Sequence, residues 1–240
     1  MHQSDIPHFL QLSTNELMEK FGSGHHKPGS GSAAALLGLI ACQLMKTVIL
    51  ATRRNRAYAA NFSQLEFVDS ILSQHDPFFR EAVQQDSVQF DRFHQARLER
   101  NACTDKPEKR RLADKAREEL MPATQIPLDI ANHAADAAEK GMIVYDLGAS
   151  HVRGDSGVAV SAALSSCSGA LFVVYLNLLQ FRGGHWAVMT RAAADSIKER
   201  YQVLQSEQFR RVSRIQTEGI DNYQTELQLG IGITDEDETT

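Results

Sequence analysis

The chain has 240 residues, is 42% hydrophobic and carries a formal net charge of −5. That apolar share supports a real core, and the acidic balance argues against a general nucleic-acid binder. Three cysteines, Cys42, Cys103 and Cys167, show no CxxC spacing, which is the usage of reduced cytoplasmic thiols rather than of a disulfide frame.

The opening MHQSDIPHFL lacks a basic region followed by an apolar run, so no signal peptide is expected. Ser13-Thr-Asn-Glu16 has the capping-box pattern and predicts a short helix ending near Gly22. A link over 22–31 leads into the most distinctive stretch, Lys27 to Thr52. Pro28-Gly29-Ser30-Gly31-Ser32 opens a segment with no charge until Lys46. Ala34, Gly38 and Cys42, four residues apart, give a helix one nearly flat face, which lets a second helix approach closely. The start of that helix gathers unpaired N–H groups beside glycines that leave room for a ligand. The loop is therefore a candidate site for an anionic or carbonyl-bearing ligand, with a plain connector as the alternative. Arg53, Arg54 and Arg56 follow at the helix end, where cations suit the helix dipole or could dock a carboxylate.

Residues 61–74 read as a helix, restarted at Asp76-Pro77 with Asp as N-cap and Pro at N1. From there to Arg100 runs the stripe Phe79, Val83, Asp86, Phe90, Phe93, Arg97, a core-facing seam. An apolar seam disfavours the charged form of an acid, which makes Asp86 the best candidate for proton transfer, with a carboxylate hydrogen-bonded to a neighbouring helix as the alternative. Asp105-Lys-Pro-Glu108 starts a mixed-charge helix reaching Leu120, read as a solvated face. Pro122 and Pro127 bracket a kink or break before a helix at 128–140. Asp129 and His133 are spaced as a metal pair, but no third ligand joins them at helical spacing, so no metal site is expected.

After Gly141 a less regular stretch is expected. Asp155 is then a natural N-cap for a helix over 157–181. In it Gly157, Ser161, Ser165 and Gly169 recur every fourth residue, a face that demands a partner helix very close by. Gly183-Gly184 turns the chain into a last helix, from about 186 to 229, and the acidic tail 230–240 reads as disordered. Two charge-free runs, 28–45 and 157–181, approach membrane-span length. The second holds Ser161, Ser165, Ser166, Ser168, Asn177 and Gln180, so both read as central helices of a soluble protein. No stretch alternates as a strand does. The expected fold is all-α, a multi-helix bundle with long central small-residue helices, forming a single domain over 1–229.

Four stretches, in order, resemble the cyclodeaminase/methenyltetrahydrofolate cyclohydrolase family, which includes the cyclodeaminase domain of formiminotransferase-cyclodeaminase. They are the Pro28-Gly29-Ser30-Gly31-Ser32 loop, Asp86-Ser-Val-Gln-Phe90, Ala123-Thr-Gln-Ile-Pro127-Leu128, and Asp155-Ser-Gly-Val-Ala159 running on to Leu176-Asn177-Leu178. Three positions depart from the family pattern. Ser30 replaces the middle glycine of a Pro-Gly-Gly-Gly-Ser loop, Gly154 stands where a Ser normally precedes Asp155, and His25-His26-Lys27 is an unusual lead-in. The resemblance implies an all-helical homodimer in the cytoplasm, with a tetrahydrofolate derivative as substrate, no tightly bound cofactor, and neither nucleic acid nor membrane as partner. It implies folate bound near Lys27, Pro28, Gly29, Ser30, Gly31, Ser32 and Asn177, with Asp86 and Asp155 as catalytic carboxyls. The expected activity is that of a cyclohydrolase or a cyclodeaminase. The alternative is a non-catalytic helical dimer of the same fold that binds another small anion or a protein.

Overall fold

The computed structural model describes the backbone of residues 7–228 and the side chains of 7–219; the expected acidic tail lies outside the described residues. Six α-helices carry the fold: α1 Thr14–Gly22, α2 Ser30–Arg53, α3 Phe62–Ala102, α4 Lys106–Leu147, α5 Arg153–Leu178 and α6 His185–Gln228. Among the described residues there is no strand, as the sequence pattern predicts. The chain divides into two compact units, 1–204 and 205 onward, at a point inside α6 where the sequence shows no boundary. Within its described part the second unit is helical, with Glu207 pairing with both Arg210 and Arg211.

The first unit is built around α2, which packs against α3, α4 and α5. Its small residues permit this. A Cβ added to Gly38 would stand 2.4 Å from Cε1 of the buried Phe79 on α3. Towards α5, the Ser166 hydroxyl donates to the Ala34 carbonyl at 2.7 Å. A Cβ added to Gly141 of α4 would likewise stand 2.4 Å from Cε of Met45 on α2. Both α2 and α5 are long and apolar enough to cross a membrane, yet they bury polar groups such as Ser32, Ser166 and Asn177 against their neighbours.

The small-residue face of α5 differs from expectation. The side of α5 that meets α2 is marked by Ser166, and Ala159, Ala163 and Ala170 are buried as well. Ser161 and Ser165 are exposed, and neither Gly157 nor Gly169 is tightly approached. That outward face continues through Val158, Phe172, Leu176 and Leu179, each more than half exposed.

The helices continue through three places where the sequence suggests an interruption. α3 runs through Pro77, so Asp76 is not an N-cap and instead holds Arg80 one turn on at 2.5 Å. α4 runs through Pro122 and Pro127 and past Gly141 to Leu147. An interior proline costs about 3 kcal/mol of helix propensity, but long helices buried along a shared core recover it through packing. Pro127 has no N–H to offer the carbonyl of Ala123, and the Asn177 side-chain amide donates to that carbonyl instead, at 3.1 Å. The buried Ile130, Ala131, Ala134 and Ala135 hold the following turns in place.

Close packing at Gly38 has a direct consequence. Gly38→Ala should cost about 1–3 kcal/mol by overpacking against Phe79. Gly154→Ala, at a helical position with nothing within 4 Å, should stay within about 0.5 kcal/mol of the parent. Urea denaturation measures both; equal effects would mean that α2 and α3 do not meet at Gly38.

Candidate active site

The N-terminus of α2 is capped from another helix. Its N-cap residue, Gly29, has no side chain to offer. Asp86 of α3 supplies the missing acceptor: its Oδ2 accepts the Ser32 N–H at 2.9 Å and the Ser32 hydroxyl at 3.3 Å. The Ser32 and Ser87 hydroxyls lie 2.9 Å apart. Gly31 makes the approach possible, since a Cβ there would fall 2.0 Å from Asp86 Oδ1. The Ser32 N–H, expected to be open to a ligand, is therefore held by Asp86.

Asp86 is 7% exposed. Burial pushes its carboxyl up to about 6, and the opposing hydrogen bonds from the Ser32 backbone and hydroxyl only moderate the rise. Desolvation outweighs the favourable helix terminus, and the group is left able to gain and lose a proton near neutrality.

Above Asp86 opens a cavity of about 410 Å³, within the usual range for small-molecule sites, about 300–1,000 Å³. Gly29, Ser30 and Gly31 form one side; Phe90, Phe93 and Arg97, on successive turns of α3 beyond Asp86, form another. Ala123 of α4 and Val173, Leu176, Asn177 and Gln180 from the end of α5 and just beyond complete it, with His26 at the loop. The Arg97 guanidinium lies 5.8 Å from the Phe93 ring centre.

Of the sequence-predicted site residues, the structure brings together Asp86, Gly29, Ser30, Gly31 and Asn177. It does not bring the others to the cavity wall. Pro28 is buried, and Ser32 lies behind Asp86. Lys27 binds Asp91 at 2.6 Å and faces a neighbouring depression beside α1. Asp155 is not the cap of α5, because the helix begins at Arg153 and places Asp155 in its first turn. It stands 22 residues before Asn177 on one helix, about 33 Å at 1.5 Å per residue. Arg53, Arg54 and Arg56 lie at the opposite end of α2 from the glycine loop.

Sequence reasoning missed the part of His26. Its Nε2 lies 3.3 Å from Asp91 Oδ1, and its ring sits 4.6 Å from that of His94 and 6.0 Å from that of Phe90. It also missed a polar cluster elsewhere on α3 and α4. The Nδ1 atoms of His75 and His133 are 2.7 Å apart, and His75 Nε2 lies 2.7 Å from Asp136 Oδ2. Arg200 of α6 reaches Asp136 and Glu139. His133 thus faces another histidine, stacks on Phe78 at 3.9 Å, and is not paired with Asp129, whose carboxylate accepts from Gln125. Burial, then His75, lowers the His133 pKa. No group of three metal-ligating side chains occurs among the described residues.

Fold and cavity together define a helical protein with a small-molecule site floored by one buried acid. The family model described as formiminotransferase-cyclodeaminase matches residues 13–196, and the chain belongs to that family. Among solved structures, it resembles the formiminotetrahydrofolate cyclodeaminase of Thermotoga maritima, with a TM-score of 0.74 and 15% identity over 86% of this chain and 98% of the other. That likeness is one of fold. None of the curated proteins matches the chain.

The raised Asp86 pKa fixes the sign of a pH effect. The folded state holds this proton more tightly than the unfolded state, so the contribution to stability is fully present below about pH 4 and is lost as pH rises through about 6. Asp86→Asn keeps an acceptor for Ser32 and cannot ionise. At pH 7 it should be more stable than the parent by about 1–3 kcal/mol, with the gap closing towards pH 4. Denaturation at both pH values tests this; a gap that widens on acidification would reverse the assignment.

Proposed function

We propose that this protein is a folate-dependent one-carbon enzyme, a methenyltetrahydrofolate cyclohydrolase or a formiminotetrahydrofolate cyclodeaminase, with Asp86 as its carboxylate general acid/base. Family membership supports the substrate class, and the observation that carries the chemistry is a buried carboxyl of raised pKa at the base of an open cavity. Hydrolysis of a cyclic amidine requires water to lose a proton as it attacks the carbon between two nitrogens, and one nitrogen to gain a proton as the adduct collapses. A carboxyl poised near neutrality can take the first proton and return it. Phe90 and Phe93 offer apolar contact for a flat heterocycle, and Arg97 offers charge for a carboxylate tail. The reading carries with it a cytoplasmic protein that needs no tightly held cofactor.

The departures at Ser30, which lines the cavity, and at Gly154 favour a second reading, in which the fold binds a small anion without turning it over. Asp86→Asn decides between them. Turnover of methenyl- or formimino-tetrahydrofolate should fall by about 10²–10⁴, with the variant still folded. A fall of only a few-fold would remove Asp86 from the chemistry, and a parent that binds folates without turnover would favour the second reading.

We also propose a homodimer. Val158 and Phe172 of α5 and Leu179 just beyond it are each more than half exposed among the described residues, and the small residues between them suit a close helix crossing. Sedimentation at micromolar concentration should give a dimer and Phe172→Glu a monomer. A parent that sediments as a monomer would contradict this.

A further inference from the structure

The two proton transfers of the proposed reaction need not fall on one group, and a second candidate stands at the cavity. His26 lies on the loop before α2 and shares the cavity wall with Asp86. Three residues on one face of α3 fix it: Asp91 at its Nε2, His94 against its ring, and Phe90 at the ring edge. Asp91 is itself buried, 8% exposed, and also accepts from Lys27. A carboxylate accepts only, so Nε2 carries the proton of this contact and Nδ1 is left as the working nitrogen. No hydrogen bond to Nδ1 occurs among the described residues. A buried acid that holds one imidazole nitrogen and orients the other is the arrangement by which a histidine becomes a directed proton carrier.

We propose that His26, oriented by Asp91, is the second proton-transfer residue of this site and protonates the departing nitrogen of the substrate. The inference rests on the one-carbon reading above. In the step it serves, a carbon–nitrogen bond of the tetrahedral adduct breaks and its electron pair leaves on nitrogen. The proton on Nδ1 passes to that nitrogen, and solvent restores it. Asp86 then acts on the attacking group alone. The groups around His26 are Asp91, His94 and Arg97 from α3, Lys27 and His25 from its own loop, and Glu16, Glu19 and Lys20 from α1. His94 is held below the ordinary histidine range by burial first, then by His26 and Arg97. The His25-His26-Lys27 lead-in departs from the family loop pattern, so the device belongs to this chain.

A merely structural role, pinning the loop to α3, would lower activity equally at every pH. The test therefore uses pH profiles of kcat/KM for the parent, His26→Gln and His26→Ala, with melting temperatures as the check on folding. The parent should lose activity on both the acid and the alkaline side. His26→Gln should lose about 10²–10³ in rate at the optimum and show no alkaline fall. Imidazole added to His26→Ala should restore activity. Both limbs retained in His26→Gln, or no rescue of a folded His26→Ala, would overturn the proposal while the one-carbon reading stands. A parent without any folate turnover would overturn both.

Discussion

The contact between Asp86 and the start of α2 constrains more of this structure than any other. α2 begins at a glycine, which cannot cap it, and its first turn points unpaired N–H groups into the protein. Asp86 accepts from Ser32 there, and it can come close enough only because Gly31 has no side chain. Capping by an acid and its attraction to the helix dipole are each worth about 1 kcal/mol. Taking a carboxylate out of water costs more, and the rise of its pKa to about 6 shows which effect wins. One interaction thus fixes where the central helix starts, why the loop needs glycine, and why the acid under the cavity keeps its proton up to about pH 6.

The opposite wall depends on a second exchange of hydrogen bonds. Pro127 leaves the Ala123 carbonyl without its helical donor, and the buried amide of Asn177 takes it. Two stretches that read as separate motifs, one on α4 and one on α5, are joined by this bond, and both of its residues line the cavity. Asn177 therefore has a structural duty at the site whether or not it also touches a ligand.

Much of this was legible in the sequence. The seam from Phe79 to Arg97 put Asp86 at a buried position, and the small residues of α2 announced close packing, which Gly38 and Phe79 show. The prolines misled because local propensity counts an interior proline at full cost, whereas packing on neighbouring helices offsets it. Asp155 was misplaced by the same local logic: Asp is a good cap, but α5 begins two residues earlier. The every-fourth-residue repeat of α5 identified a flat face without saying which way it points, since rotation of a helix about its axis is set by its neighbours. His26 stood out only as part of an unusual lead-in and His133 only by its spacing from Asp129, and neither pointed to its actual partner. Their partners are 65 and 58 residues away in the chain, and no spacing rule reaches that far.

The most direct test of the central contact is a double-mutant cycle on stability between Gly31→Ala and Asp86→Ala. If Gly31 is glycine because Asp86 occupies the place of its side chain, Gly31→Ala should cost about 1–3 kcal/mol in the parent and nearly nothing once Asp86 is alanine. Equal costs in the two backgrounds would mean that the acid does not sit on the first turn of α2, and the account of the site built on it would fall.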